Sequence, residues 1–331
     1  MPMASAFLAI LLTFLPPSPG ANFLHTFGPR RKLAAMDAAD LRLFEAVART
    51  GSMNKAALEL NTVQSNVTAR IKVLEERLGA ELFERTNRGV TLTAAGHRLR
   101  PFAVRVAGLL EDARRAVADH GTPAGALVIG SLETTAALRL ARVLSDFATA
   151  WPAIDLSLRT GTSGELVERV VDREIEGAFV CGPVHHADLI VEPFFEEDLV
   201  LLTAPDIADF DALAQKGNLK IIVLRAGCSY RLRLESLLAR RGIVGIRLLE
   251  FGTLEAIVSC VGAGIGVTLL PEALIGPVWR HGRLRIHRLP AEESRVETVF
   301  IRHREAHVSS ALAAFLDLAR PALMQRAAAA E

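Results

Sequence analysis

Cysteine is scarce: the 331 residues contain three, Cys181, Cys228 and Cys260. An odd count without metal-ligand spacing excludes a disulfide framework and a zinc site, and suits a reducing cytoplasm. Net charge is only +1, so no global basic field advertises a nucleic-acid partner. Aromatic residues are few, 5% of the chain. Long apolar runs are also lacking. Ala6 to Leu15 gives ten such residues before Pro16-Pro17, too short to span a bilayer as a helix. No Lys or Arg precedes Arg30, so the basic start of a signal peptide is missing. The nine histidines are scattered without triad or metal company, and no catalytic or metal site is expected. Gly262-Ala263-Gly264-Ile265-Gly266 follows a helical stretch and precedes a strand, the reverse of a phosphate-binding loop.

Half of the residues are apolar, and the length implies two or three compact units. The informative stretch is Ser52 to Gly79. Ala56, Ala57 and Leu60 repeat at helical spacing, as do Val67, Ile71, Leu74 and Leu78. Asn61-Thr62 interrupts them as a turn, so the segment reads as a helix-turn-helix with its second helix over about Gln64 to Leu78. Short polar side chains at that helix start (Gln64, Ser65, Asn66, Thr68) suit base edges in a major groove. Leu82 to Leu92 then alternates around Asn87-Arg88-Gly89 as a two-stranded wing, with Arg85 and Arg88 at its tip. Eight basic residues balance eight acidic ones over residues 36–95. Affinity must therefore come from placement, with Lys55, Arg70, Arg85 and Arg88 on one side.

DLRLFEAVARTGSMNKAALELN followed by VLEERLGAELFERTNRGVTLTAAG resembles, almost position for position, the N-terminal domain of the LysR-type transcriptional regulators. The resemblance extends more loosely to about Met324. It implies base readers at Gln64, Ser65 and Thr68, and backbone contacts from Lys55, Arg85, Arg88 and Thr91. Three positions depart from the pattern: Val63 replaces a capping Ser, so Thr62 is expected to cap; Ser65 replaces Pro; Ala69 replaces Arg. The family usually opens at a Met-Asp, here Met36-Asp37. Residues 1–35 are accordingly expected to be an over-extended start or a disordered appendage. Residues 36–93 form the winged helix-turn-helix domain.

Residues 94–120 read as a linker helix capped by Thr93, with Leu99, Phe102, Val106, Leu109, Ala113 and Val117 in one stripe. Pro101 is expected to bend it. The stripe suits an intermolecular seam, since a reader of one half-site needs a two-fold mate. Residues 121–125, rich in Gly and Pro, are expected to act as a hinge.

From Ala126 strands alternate with helices, predicting two α/β units with mostly parallel sheets. The first covers about 126–202 and 303–325, the second about 203–302, together the effector domain (126–325). Expected strands include Leu189 to Phe194 and, separately, Leu199 to Thr203; a helix is expected over Thr135 to Ala150. A strand at Val296 to Arg302 with a helix at Val308 to Met324 is expected to return and complete the first unit. The two units resemble the family's effector domain, itself similar to periplasmic binding proteins. Ligands in such sheets lie beyond strand ends, near helix N-termini. That rule selects Ser131, Glu133, Thr134, Thr162, Ser229 and Arg231, with Thr203 and Phe251 to Thr253 as walls. Arg231 and the helix ends would welcome a carboxylate, and Glu133 an amino group, so an amino acid or similar carboxylate is the expected effector.

Two alternatives remain open on the residues alone. Cys228, at a helix start beside Arg231, suits a redox sensor. An exported solute-binding protein would share the two α/β units but lacks use for a wing. The resemblance implies a cytoplasmic, non-enzymatic regulator without cofactor. Its partners would be double-stranded DNA, a small-molecule effector, a second copy in a homodimer or homotetramer, and RNA polymerase, with no membrane.

Overall fold

The computed structural model describes residues 36–86, 89–224, 229–278 and 284–328. The N-terminal unit comprises α1 (Ala38–Thr50), α2 (Met53–Glu59), α3 (Gln64–Leu78) and a hairpin of β1 (Phe83–Thr86) and β2 (Gly89–Leu92). Phe44, Val47, Ala56, Val67, Ile71 and Leu74 are buried together, so the apolar repeats of all three helices meet in one core. Asp37 caps α1, Ser52 caps α2, and Asn61 takes the left-handed conformation that its turn requires. Glu75 fastens the wing to α3, accepting from the Leu82 and Phe83 amides at 2.8 and 3.3 Å.

The linker helix α4 (Ala94–Ala118) is capped by Thr93 and runs unbroken through Pro101 for ~37 Å. Its start is pressed onto the wing: a Cβ at Gly96 would lie 2.2 Å from the Leu82 carbonyl oxygen, so only glycine fits. The following loop is tied at both ends. Asp119 accepts from the Gly121 amide at 2.9 Å and the Ser310 amide at 2.6 Å, while the Gly125 amide donates to the Ala153 carbonyl at 3.0 Å. The segment expected as a hinge is thus fastened to its neighbours on both sides.

The first α/β unit begins with β3 (Gly125–Ser131), α5 (Glu133–Thr135), a π-helical turn over Ala136–Leu140 and α6 (Ala141–Ala150). It continues through β4 (Ile154–Thr160), α7 (Ser163–Val171), β5 (Gly177–Cys181) and β6 (Leu189–Thr203). The second unit holds α8 (Phe210–Gln215), β7 (Lys220–Leu224), α9 (Ser229–Arg240), β8 (Arg247–Phe251), α10 (Leu254–Gly262), β9 (Thr268–Pro271), α11 (Glu272–Val278) and β10 (Arg285–Arg288). After α12 (Ala291–Ser294) the chain returns through β11 (Arg295–His303) and α13 (Ser310–Ala328).

Three expectations about this half need correction. The two strands expected around Glu196-Glu197-Asp198 are one, β6: those polar residues alternate exposed, buried, exposed, as a pleated strand does. The main sheet is mixed rather than mostly parallel. β3 is parallel to β4 and β5, but β11 runs antiparallel to β5 and β6, and β6 antiparallel to β9 and β10. β11 lies in the first unit's sheet, as expected of the strand at Val296 to Arg302, so it is the bound at residue 303 that moves, to Arg295. β6 crosses from one unit to the other, pairing with β11 in its first part and with β9 and β10 in its last. Of the second unit, β7 and β8 are parallel as expected.

Candidate functional site

At the start of the second helix of the helix-turn-helix, Val63 occupies the N-cap of α3 without a side-chain hydrogen bond. The expected substitute, Thr62, does not cap; its hydroxyl accepts from Asn66 Nδ2 at 2.9 Å. The first amides of α3 are left without a side-chain cap, which suits a helix start that meets an anion. Gln64 and Ser65 are exposed, and Gln64 Nε2 donates to Thr68 Oγ1 at 3.2 Å, setting both groups on one edge. Lys55 and Thr91 are exposed on α2 and β2.

Arg70, expected from the charge pattern to face DNA beside Lys55, is held by a protein carboxylate instead. Its Nη2 lies 2.5 Å from Asp40 Oδ1, and Arg77 reaches Oδ2 of the same buried carboxylate at 3.1 Å. The pair braces α3 against α1, because a buried Asp must be matched by charge. Arg85 stands in β1, while its side chain and Arg88 lie outside the described residues.

In the effector half, Leu132, Glu133, Thr134, Thr160, Gly161, Thr162, Glu165, Leu224 and Tyr230 line a cleft between the units, with a cavity of about 40 Å³. That admits one or two water molecules. Contacts that cross between the units include Ser229 Oγ donating to Ser163 Oγ at 2.9 Å, Arg233 Nη2 donating to the Gly182 carbonyl at 3.4 Å, and Thr134 Oγ1 lying 3.5 Å from Tyr230 Oη. Thr162 caps α7 in a capping box, accepting from the Glu165 amide while Glu165 Oε2 accepts from the Thr162 amide at 3.0 Å.

Of the expected effector residues, the structure brings Glu133, Thr134 and Thr162 to the cleft, with Ser229 at its crossing bond. Ser131 is buried and its hydroxyl donates to the Leu132 carbonyl. Thr203 is buried elsewhere, bonded to His287 Nε2 at 2.9 Å. Thr253 caps α10. Arg231, expected to receive a carboxylate, is already held by Glu235 at 2.9 Å and Glu250 at 3.3 Å. None of these four lines that cavity, because proximity to a strand end does not say which way a side chain turns. Glu165 and Tyr230 were missed. The capping-box spacing from Thr162 to Glu165 was the available signal for the first. Cys228, the basis of the redox alternative, lies outside the described residues.

Burial perturbs two groups near the crossing strands. Glu197 on β6 is buried against Arg139 at 3.6 Å, and burial pushes its carboxyl above the ordinary value despite that cation. His287 is pushed down, first by burial and then by Arg285. Among the described residues no helix is long and apolar enough to cross a membrane.

A winged helix-turn-helix joined by a long helix to a two-unit, cleft-bearing α/β domain defines a ligand-responsive DNA-binding protein. The family model "Bacterial regulatory helix-turn-helix protein, lysR family" matches residues 38–97, and "LysR substrate binding domain" matches 120–324. The regulator GltR of Bacillus subtilis is 41% identical over 276 residues, 83% of this chain and 93% of its own length. The regulator YofA of the same organism is 42% identical over 282 residues, 85% of this chain and 98% of its own. Among solved structures, CbnR in complex with its target DNA is 25% identical, with a TM-score of 0.58 over 87% of this chain and all of that one (100%). A full-length OxyR point variant from Pseudomonas aeruginosa shares the fold at 20% identity and a TM-score of 0.61, over 87% of this chain and 95% of its own. The chain belongs to the LysR family of bacterial transcriptional regulators: it is a DNA-binding regulator with a C-terminal substrate-binding domain.

Proposed function

We propose that two copies pair along α4 and lay their α3 helices in successive major grooves. Phe102, Leu109 and Val117 are exposed on α4 at 62%, 56% and 80%. Such an apolar stripe at seven- and eight-residue spacing is a seam seeking a mate. Gln64, Ser65 and Thr68 then read base edges, while Lys55, Thr91 and the wing arginines Arg85 and Arg88 fix the protein on phosphates. Dimers pair further into a tetramer, and the DNA-bound assembly works in the cytoplasm by contact with RNA polymerase.

The effector on this reading is an amino acid or a similar small molecule carrying both an amine and a carboxylate. The observation that carries it is the cleft itself. The helix starts of α5 and α7 converge there with Glu133, Glu165, three threonine hydroxyls and Tyr230. Backbone donors at the helix starts serve the carboxylate in place of Arg231, and the glutamates serve the amine. Ligand binding shifts the balance between open and closed units only through its preference for one of them. Thermal-shift screening with L-amino acids tests the class; stabilisation confined to compounds lacking an amine would refute it.

A further inference from the structure

Helix α7 touches both working regions of the molecule. At its start, Thr162 and Glu165 line the effector cleft. Glu165 also borders a second cavity of about 490 Å³, whose other walls include Arg49 of the DNA-binding unit and His97, Arg100 and Pro101 of α4. At the far end, ~14 Å away, Asp172 and Arg173 meet the linker helix. A Cβ at Gly108 would lie 2.7 Å from both Arg173 Cβ and the Asp172 carbonyl oxygen, so glycine alone permits this approach. Arg173 adopts φ 60°, a left-handed conformation that costs a non-glycine residue about 1 kcal/mol or more. Its buried guanidinium pairs with Asp112 of α4, whose carboxylate is also held by Arg115. The DNA-binding unit grips the same helix just upstream, through fully buried Ala103 and half-buried Val106.

We propose that α7 is a connecting rod: displacement of its start by a ligand is delivered through Arg173 to Gly108 and Asp112, and so resets the spacing of the DNA-binding units. A rigid nine-residue helix with one end in the cleft and the other clasped to the linker moves as a body. The left-handed Arg173 residue ends α7, with the Glu174 amide donating back to the Arg169 carbonyl at 2.9 Å, so the clasp and the helix end are one piece. This inference rests on reading the cleft as the effector site, but the clasp can be tested without any ligand.

The experiment uses the full chain on its own upstream DNA, comparing wild type with Gly108→Leu and Arg173→Ala. Gly108→Leu drives α4 off α7, and Arg173→Ala removes the clasping cation without adding bulk. Both are expected to change the footprint by about one turn of DNA, ~10 bp, or to change the bend, with no small molecule present. Combining Thr162→Val with Arg173→Ala should give a non-additive change in bend. An unchanged footprint and bend in variants shown to be folded by circular dichroism would overturn the clasp, and strict additivity would overturn α7 as the carrier. L-amino acids, tried singly in thermal shift, separate the two readings. If none stabilises wild type while the variants still alter the footprint, the clasp stands and the amino-acid assignment falls.

Discussion

Arg70 of the DNA-reading helix donates through Nε to Asp40 of the first helix at 2.8 Å, and Asp40 is 5% exposed. An arginine that the pattern of charges offers to DNA is thereby turned inward, as a brace that fixes the angle of α3. Removing Asp40 should leave Arg70 and Arg77 facing each other across a half-buried site. Asp40→Ala is expected to cost about 3 kcal/mol of stability, measured by urea unfolding. Arg70→Ala, with its half-exposed side chain, should cost nearer ~1 kcal/mol and leave the salt dependence of DNA binding unchanged. A slope reduced by about one in Arg70→Ala would instead place it on a phosphate.

Base reading and backbone positioning separate by their dependence on sequence. Gln64→Ala should lose about 1–3 kcal/mol of discrimination between the operator and a scrambled fragment, by competition gel shift. Lys55→Ala should weaken binding to both fragments alike and lower the salt slope by about one. An equal loss on both fragments in Gln64→Ala would remove it from the set of readers.

The apolar stripe on α4 makes a prediction about assembly. Phe102→Lys with Leu109→Lys places two charges in the seam and should yield monomers in sedimentation at concentrations where wild type is oligomeric. Operator affinity should then fall towards that of a single half-site. Unaltered sedimentation would move the pairing surface elsewhere.

His287 gives a pH dependence whose sign follows from its surroundings. Its folded value lies below the ordinary 6.5, so the unfolded chain takes up the proton first as pH falls. The stability it contributes is fully present above 6.5 and is lost as pH drops through the depressed folded value. His303, also pushed down by burial, acts in the same direction. Melting temperature measured across this range should fall less steeply in His287→Gln than in wild type. Parallel profiles would mean that His287 is as easily protonated in the fold as outside it.

Local chemistry made the DNA-binding unit legible in the sequence. Its helices repeat apolar residues every three or four positions, Ser52 and Thr93 cap where short hydroxyl side chains are expected to cap, and Asn61 turns the chain. Each of these signals is decided within a few residues. The alternation of strands and helices likewise gave the two α/β units. What the sequence left undecided were relations between distant segments. Glu197 reads as loop-forming until Arg139 and the pleat of β6 show why it is buried. Arg231 reads as a ligand-binding cation until Glu250, on another strand, claims it. Gly108 carries no signal along the chain, and its close approach to Arg173 exists only in the fold. Periodicity and capping are set by neighbours along the chain, whereas the pairing of charges and the closest approaches are set by which surfaces the folded backbone brings together. The tertiary structure alone decided those.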